Sequence, residues 1–589
     1  MTPTSGGASG EKSTSYWKRL LPTKQEFYFM LKSFSKKEQL LFLSLVVFFL
    51  VSTIFLFNFI NDKISVEVPS YGGEFSEGII GTPRFINPVL AISDADHDLT
   101  RLVYAGLMKK TESGDLVPEL AKSYEISSDG MSYTFILKDN LFFHDGKPLT
   151  VDDVLFTVNL VKDPLLKSPR RVSWEGASAQ KIDNQSIKFT LKQKYFPFLE
   201  NTTLGILPKH IWKDLTPEQF GFSDFNTNAI GAGPYKIKTV TKNSSGIPNY
   251  YELDAFKNYA LSAPFIDTIA VHLYPNEGEL ITAFDNGIVK NISSIDAKNT
   301  AVLKESGYRV LKTPLPRIFA VFFNQSQNQI FTDKAVRKAL SAATDKDLIV
   351  KQVLFGYGTA IDSPIPDMAI LYKKENTANR YEAARQILIS AGWVFNEKEA
   401  VMEKKNKKIV TQLKFSLATG DVPELKDTAK LIKEDWEKIG AKVDLKIFDV
   451  GDLNQNIIRP RKYDALFFGE IVGFNGDPFA FWHSSQRNDP GLNIALYTNT
   501  KADKILESLR GTLDKEDRAV KYLDFGREIE KDVPAVFVYS PDFTYLIDEN
   551  LSGIALGNIT IPSDRFAGIN NWYLKTDNVW RPLARFSTR

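Results

Sequence analysis

Twenty-one consecutive residues, Leu40 to Ile60 (LLFLSLVVFFLVSTIFLFNFI), carry no charge, and no other feature of the chain narrows its possible folds as far. A helix rises about 1.5 Å per residue, so a segment of this length reaches across the roughly 30 Å hydrocarbon core of a bilayer. A cleaved signal peptide is the rival reading. Its apolar stretch normally runs about 7–15 residues to a small-residue cleavage site, which the following NDKISVEVPS lacks. Residues 1–39 hold seven basic side chains against three acids, whereas 61–80 holds Lys63 against Asp62, Glu67, Glu74 and Glu77. By the positive-inside rule the N-terminus is cytoplasmic, and the 529 residues after Ile60 are extracytoplasmic.

That outer part has a globular composition: over the whole chain 43% of residues are hydrophobic, 24% are charged, and the net charge is +2. The balance argues against a nucleic-acid partner. With no cysteine there is no disulfide, no thiol catalysis and no lipid-bearing Cys, so membrane attachment falls to the polypeptide itself. The five histidines are at least 47 residues apart, and neither HExxH nor GxSxG occurs. No catalytic, cofactor or metal site is therefore expected. An anchored cell-envelope hydrolase would need a nucleophile and base that are not found.

Helical and strand patterns alternate along the outer part, which argues for open α/β lobes. Met131–Leu137 alternates as a strand, HDGK turns the chain, and LTVDDVLFTVNLV reads as a helix with Thr150 as N-cap and Asp153 in a capping-box position. Thr332 or Asp333 opens a helix at DKAVRKALSAA, and Tyr381–Ala391 forms another, ended by Gly392. Leu425–Ile439 is a third, feeding the strand KVDLKIF and then a buried strand at Tyr463–Val472.

Five ordered blocks resemble a known family. They are LVPELAKSYEISSDGMSYTFILKDNLFFHDGKPLTVDDVLFTVN (116–159), IGAGPYKI (230–237), FNQSQNQIFTDKAVRKALSAATDKDLI (323–349), ARQILISAGW (384–393) and the Asp-Pro segment at 469–486. Together they are similar to the family-5 extracellular solute-binding proteins, receptors of ABC importers for peptides, nickel and some oligosaccharides. The resemblance implies an α/β, two-lobed, periplasmic-binding-protein-like clam with three subdomains, to which this chain adds one N-terminal transmembrane helix. Charge and hydropathy give a basic tail at 1–39 and an anchor at 40–60, followed by a linker at 61–74; the resemblance implies a first lobe at 75–315 with an inserted subdomain at about 106–204, a second lobe at 316–545, and a return to the first lobe at 546–589. It also implies a monomer that encloses a peptide or other small extended solute, docks on ABC permease subunits and needs no cofactor. An envelope peptide sensor or chaperone on the same fold is the alternative, since fold does not fix function.

The segment GEIVGFNGDPFAFWHSSQ (469–486) ends a strand in Gly, Asn and Asp-Pro punctuation, where open α/β lobes place their sites. By the resemblance, the backbone of Ile471, Val472, Gly473 and Phe474 pairs with an extended ligand. Asn475, Asp477 and Trp482 are further candidates from this stretch, with Arg317 and Trp174 from elsewhere. Arg317 is singled out as a cation beside a lobe crossing, able to receive a carboxylate. Peptide-binding members carry an Asp where this chain has Phe474, which implies poor recognition of a free α-amino group unless another acid reaches it.

Overall fold

The computed structural model describes residues 23–365, 379–407, 409–472 and 477–580, in two compact units. The first comprises the N-terminal part up to Pro69 and the C-terminal part from Thr576. Here Thr23 and Glu26 cap a helix, Lys24–Ser33, reciprocally, and a second helix runs from Lys36 to Ile64. The uncharged run lies wholly inside this second helix. Its side chains face outward, with Phe48 72% and Phe55 78% exposed. By length and composition the helix is able to cross a membrane. Ser65–Ser70 then pairs with Lys575–Trp580 as a two-stranded ribbon, so much of the stretch read as linker is ordered structure.

The second unit, Ser70–Lys575, is organised on a twelve-stranded mixed sheet. Its path runs from Lys442–Phe448 through Lys414–Gly420, Ala465–Ile471 and Arg317–Phe323 to the long strand Ala535–Ile547. From there it continues through Asn291–Ser293, Glu74–Ile80, Thr268–Tyr274 and Pro248–Ala255 to Tyr235–Lys242. The long strand serves both halves: Ala535 to Tyr539 pair with Arg317–Phe323, and Asp542 to Ile547 pair with Arg309–Pro314. Between those two partners the chain reads Pro314, Leu315, Pro316, and prolines remove ladder donors at the crossing. Leu315 N–H donates to the Pro541 carbonyl at 2.9 Å and Ser540 Oγ donates to the Leu315 carbonyl at 2.7 Å, tying the crossing segments together.

Each half has its own core. One gathers Phe75, Leu99, Tyr133, Phe189, Tyr251 and Trp572, and the other Phe323, Leu340, Phe415, Trp436 and Phe467, with a further cluster on the opposite face around Phe322, Trp482 and Phe537. A separate four-stranded antiparallel sheet, ordered 121–126, 132–137, 186–191, 177–181, packs with the helix Val151–Lys162. The predicted elements occur within a few residues of their expected ends. Asp333, rather than Thr332, caps its helix, accepting from Ala335 N–H at 3.0 Å. Thr150 donates through both its backbone N–H and its hydroxyl to Asp153, each at 2.8 Å. Gly392 takes φ +87° just past Arg380–Ser390, the left-handed stop expected of it.

Candidate functional site

Two of the family blocks interlock. The imidazole of His144 accepts from Gly231 N–H at Nδ1 (3.3 Å), and Nε2 faces the Gly233 carbonyl at 3.1 Å, an arrangement that a neutral ring with its proton on Nε2 satisfies. Burial pushes its pKa down to about 4. Both nitrogens are spent on structure. Gly231 and Gly233 are glycines for a steric reason: a Cβ would lie 2.1 Å from the Val103 carbonyl oxygen at Gly231 and 2.5 Å from the Val103 carbonyl carbon at Gly233. The GAGP turn is thereby pressed onto the C-terminal end of the helix Asp94–Val103.

That helix builds one wall of a cavity of about 140 Å³. His97, Thr100, Arg101 and the following Tyr104 all line it, and their spacing places them on one helical face. Arg170 and Trp174 enter from the short helix Arg171–Trp174 and its N-cap. The floor is a polar relay: Lys109 Nζ donates to Tyr259 Oη (3.2 Å) and Asn570 Oδ1 (3.1 Å), Tyr259 donates to Glu119 Oε1 (2.5 Å), and Glu119 Oε2 accepts from Gly106 N–H (2.9 Å). Burial brings the Lys109 ammonium down to about 8, with Glu119 opposing the shift, and raises the Tyr259 hydroxyl well above its ordinary value. Burial, reinforced by Arg170, lowers His97. Trp174 is 2% exposed and packs against Phe189 and Phe198, so it is core wall and cavity lining at once.

The other predicted positions lie across the crossing. Arg317 opens its strand directly opposite Ile471. Its Nε is buried without a hydrogen bond; burial lowers its pKa and the nearby Asp94, first residue of the cavity helix, opposes that. Ile471 is 52% exposed at the end of its strand, and Val472 N–H is taken by the Pro316 carbonyl at 2.9 Å. Pairing to Lys414–Gly420 involves only Ala465 and Leu466, so no described strand covers Gly469–Ile471 on the edge away from Arg317–Phe323. Gly473, Phe474 and Asn475 lie outside the described residues.

Two of the candidate residues are engaged within the protein. Asp477 has partners of its own: Oδ2 pairs with Arg510 Nε at 2.5 Å and Oδ1 accepts from Phe479 N–H at 3.1 Å, a turn bond around Pro478. Trp482 is not a pocket wall: it is fully buried between Phe322, Tyr497, Phe525 and Phe537. An aromatic near a loop looks the same in sequence whether it turns inward or outward. Sequence reasoning also missed Thr100, Arg101, Tyr104 and Arg170. The 97, 100, 101, 104 periodicity was a usable signal for the first three.

The fold and the polar cavity define a class, the solute-binding receptors. Residues 115–492 match the bacterial extracellular solute-binding proteins, family 5 (middle). The chain is 28% identical over 522 residues to the oligopeptide-binding protein AppA of Bacillus subtilis (strain 168), covering 87% of this chain and 93% of that one. The structure of Bacillus subtilis AppA in complex with a nonapeptide matches with a TM-score of 0.65 at 27% identity, over 86% of this chain and 100% of the other. NikZ from Campylobacter jejuni in complex with Ni(L-His) gives 0.66 at 26% identity, over 85% and 99%. The chain therefore belongs to family 5 of the bacterial extracellular solute-binding proteins, which are binding proteins of ABC transporters and not enzymes.

Proposed function

We propose that the chain is a membrane-anchored receptor that encloses an extended solute, foremost a peptide, between two lobes and hands it to the permease of an ABC importer. The open edge at Gly469–Ile471 carries this reading. An unpaired strand edge offers main-chain donors and acceptors to an added strand, giving affinity that does not depend on the ligand's side chains. That AppA is an oligopeptide-binding protein supports a peptide. The lobes divide at 315/316 and, along the long strand, beside Pro541, a few residues before the 545/546 boundary that the resemblance implies, with 106–204 inserted in the first; the proline-rich crossing beside Pro541 supports a hinge there. Ile471 to Asn475, Arg317 and Trp174 serve the ligand. The helix containing Leu40–Ile60 holds the receptor in the membrane, with the N-terminus inside, and the receptor acts as a monomer.

Native mass spectrometry of the full chain purified gently from its own cells tests the reading, with recovery of an unmodified peptide as the expected result and a chemically altered solute as the result against it. Small-angle scattering should show compaction on adding that solute. Protease added to spheroplasts should remove the large domain and spare an N-terminal tag. With N-acetylated and free tripeptides, Phe474→Asp should gain a tenfold preference for the free amine that the wild type lacks.

A further inference from the structure

We propose that Arg510 is a positioning residue of the receptor: it ties the turn at Asp477 to a contact that holds the two lobes together. This rests on the receptor reading and adds the residues on which lobe closure depends. Arg510 lies in the last turn of the helix Thr500–Gly511, in the second lobe. Its Nε donates to Asp477 Oδ2 at 2.5 Å, and its guanidinium lies 3.8 Å from the centre of the Phe479 ring. The side chain thus takes its position from the turn that follows the open strand edge in the chain. Its backbone reaches the first lobe: the Arg510 carbonyl accepts from Phe196 N–H at 3.0 Å, and the Tyr195 ring centre is 5.9 Å from the guanidinium. Burial raises the Tyr195 hydroxyl above its ordinary value, and Asp477, across the contact, adds to that.

A second arginine completes the contact. The Arg518 guanidinium lies 3.8 Å from the Phe196 ring centre and donates to the Thr512 and Leu513 carbonyls at 3.2 and 2.6 Å, so its own lobe holds it in place. Leu513 sits over Gly130 of the first lobe, where a Cβ would come within 2.9 Å of Leu513 Cδ1. Tyr195 packs against the core of the first half and Phe479 against the apolar cluster around Trp482, which braces the contact from both sides. Such contacts exist only while the lobes touch, and a closed form gains over an open one only through contacts that differ between them. The chemistry suits a reversible fastening, because a guanidinium is weakly hydrated and stacks on an aromatic face without being fully buried. Coupling follows from shared use of one residue: a shift of the Asp477 turn acts on the same arginine whose carbonyl receives Phe196 N–H.

The chain has no cysteine, so two introduced ones take spin labels without competition. Lys122→Cys and Lys351→Cys, both at exposed positions, place one label on each lobe. Double electron–electron resonance of the full chain in detergent then reads the distance between them. The wild type should show mainly one shorter distance. Arg510→Gln, Asp477→Asn and Phe196→Leu should each raise the ratio of longer to shorter distances at least about fivefold, with thermal unfolding unchanged. Asp477→Asn retains an oxygen for Phe479 N–H, and Phe196→Leu retains the backbone bond, so both probe the contact where Arg510→Gln disturbs its helix. Combining Arg510→Gln with Asp477→Asn should open the lobes no further than either alone, because the two act through one bond. Distances unmoved by Asp477→Asn or by Phe196→Leu, or additive effects of Arg510→Gln and Asp477→Asn, overturn the proposal. No solute enters the measurement, so its outcome is separate from that of the mass spectrometry on which the receptor reading stands or falls.

Discussion

On one side of the crossing, the interior is clamped by charge. Arg565, fully buried, donates to Glu77 Oε1 at 2.8 and 3.1 Å and to both oxygens of Asp98 at 2.7 and 2.8 Å, while Tyr545 donates to Glu77 at 2.7 Å. On the other side the corresponding depth is filled by Trp482 among Phe322, Phe525 and Phe537, with its indole N–H unpartnered. The charged clamp joins residues 467 and 488 positions apart, fastening Arg565 to the strand Glu74–Ile80 and to the cavity helix. Displacing the aromatic cluster costs packing; displacing the clamp costs paired charge. Packing of apolar groups is non-directional, whereas a buried ion network loses its compensation on small displacement.

The largest expected break in this contrast is Arg565→Met, which leaves Glu77 and Asp98 buried without their cation. A loss toward the upper end of about 3–5 kcal/mol is expected in urea unfolding, and adding Glu77→Gln and Asp98→Asn should restore most of it. If the triple variant is no better than the single, charge is not what the clamp contributes. Trp482→Ala on the apolar side should cost about 3–4 kcal/mol, and Trp482→Phe well under half of that, because volume rather than a specific bond is lost.

Acid should distinguish the halves next. His144 has a folded pKa of about 4 against 6.5 when unperturbed, so between those values the unfolded chain binds the extra proton. Its contribution to stability is present above pH 6.5 and is lost as pH falls through the folded value, by about 2–3 kcal/mol. Unfolding from pH 7 to 4 should be less steep in His144→Gln than in wild type by that amount; parallel slopes would remove His144 from the acid response. The smallest effect is expected in the apolar half, where Asp333→Ala removes the helix cap and the partner of Lys404 Nζ (2.9 Å) and Trp393 Nε1 (3.2 Å). A cost of about 1–2 kcal/mol is expected from thermal unfolding at neutral pH; because, against burial, hydrogen bonds from Lys404, Trp393 and Ala335 hold the carboxyl below its ordinary value, that cost should shrink only when the pH falls below the ordinary carboxylate range.

What the chain determined by itself was local or repeated. The uncharged run makes the helix around Leu40–Ile60, since a stretch with nothing polar to offer water has few other fates. Thr150 with Asp153, Asp333, and Gly392 mark helix ends because a cap acts over three or four residues. Five ordered blocks carry the family. The tertiary structure alone decided the rest: that Asp477 is consumed by Arg510, that Trp482 turns into a core, and that Arg170 meets Thr100 and Tyr104 around one cavity. Each of these depends on which distant segment arrives beside a residue, and a side chain's spare hydrogen bonds are countable only after every neighbour has taken its share.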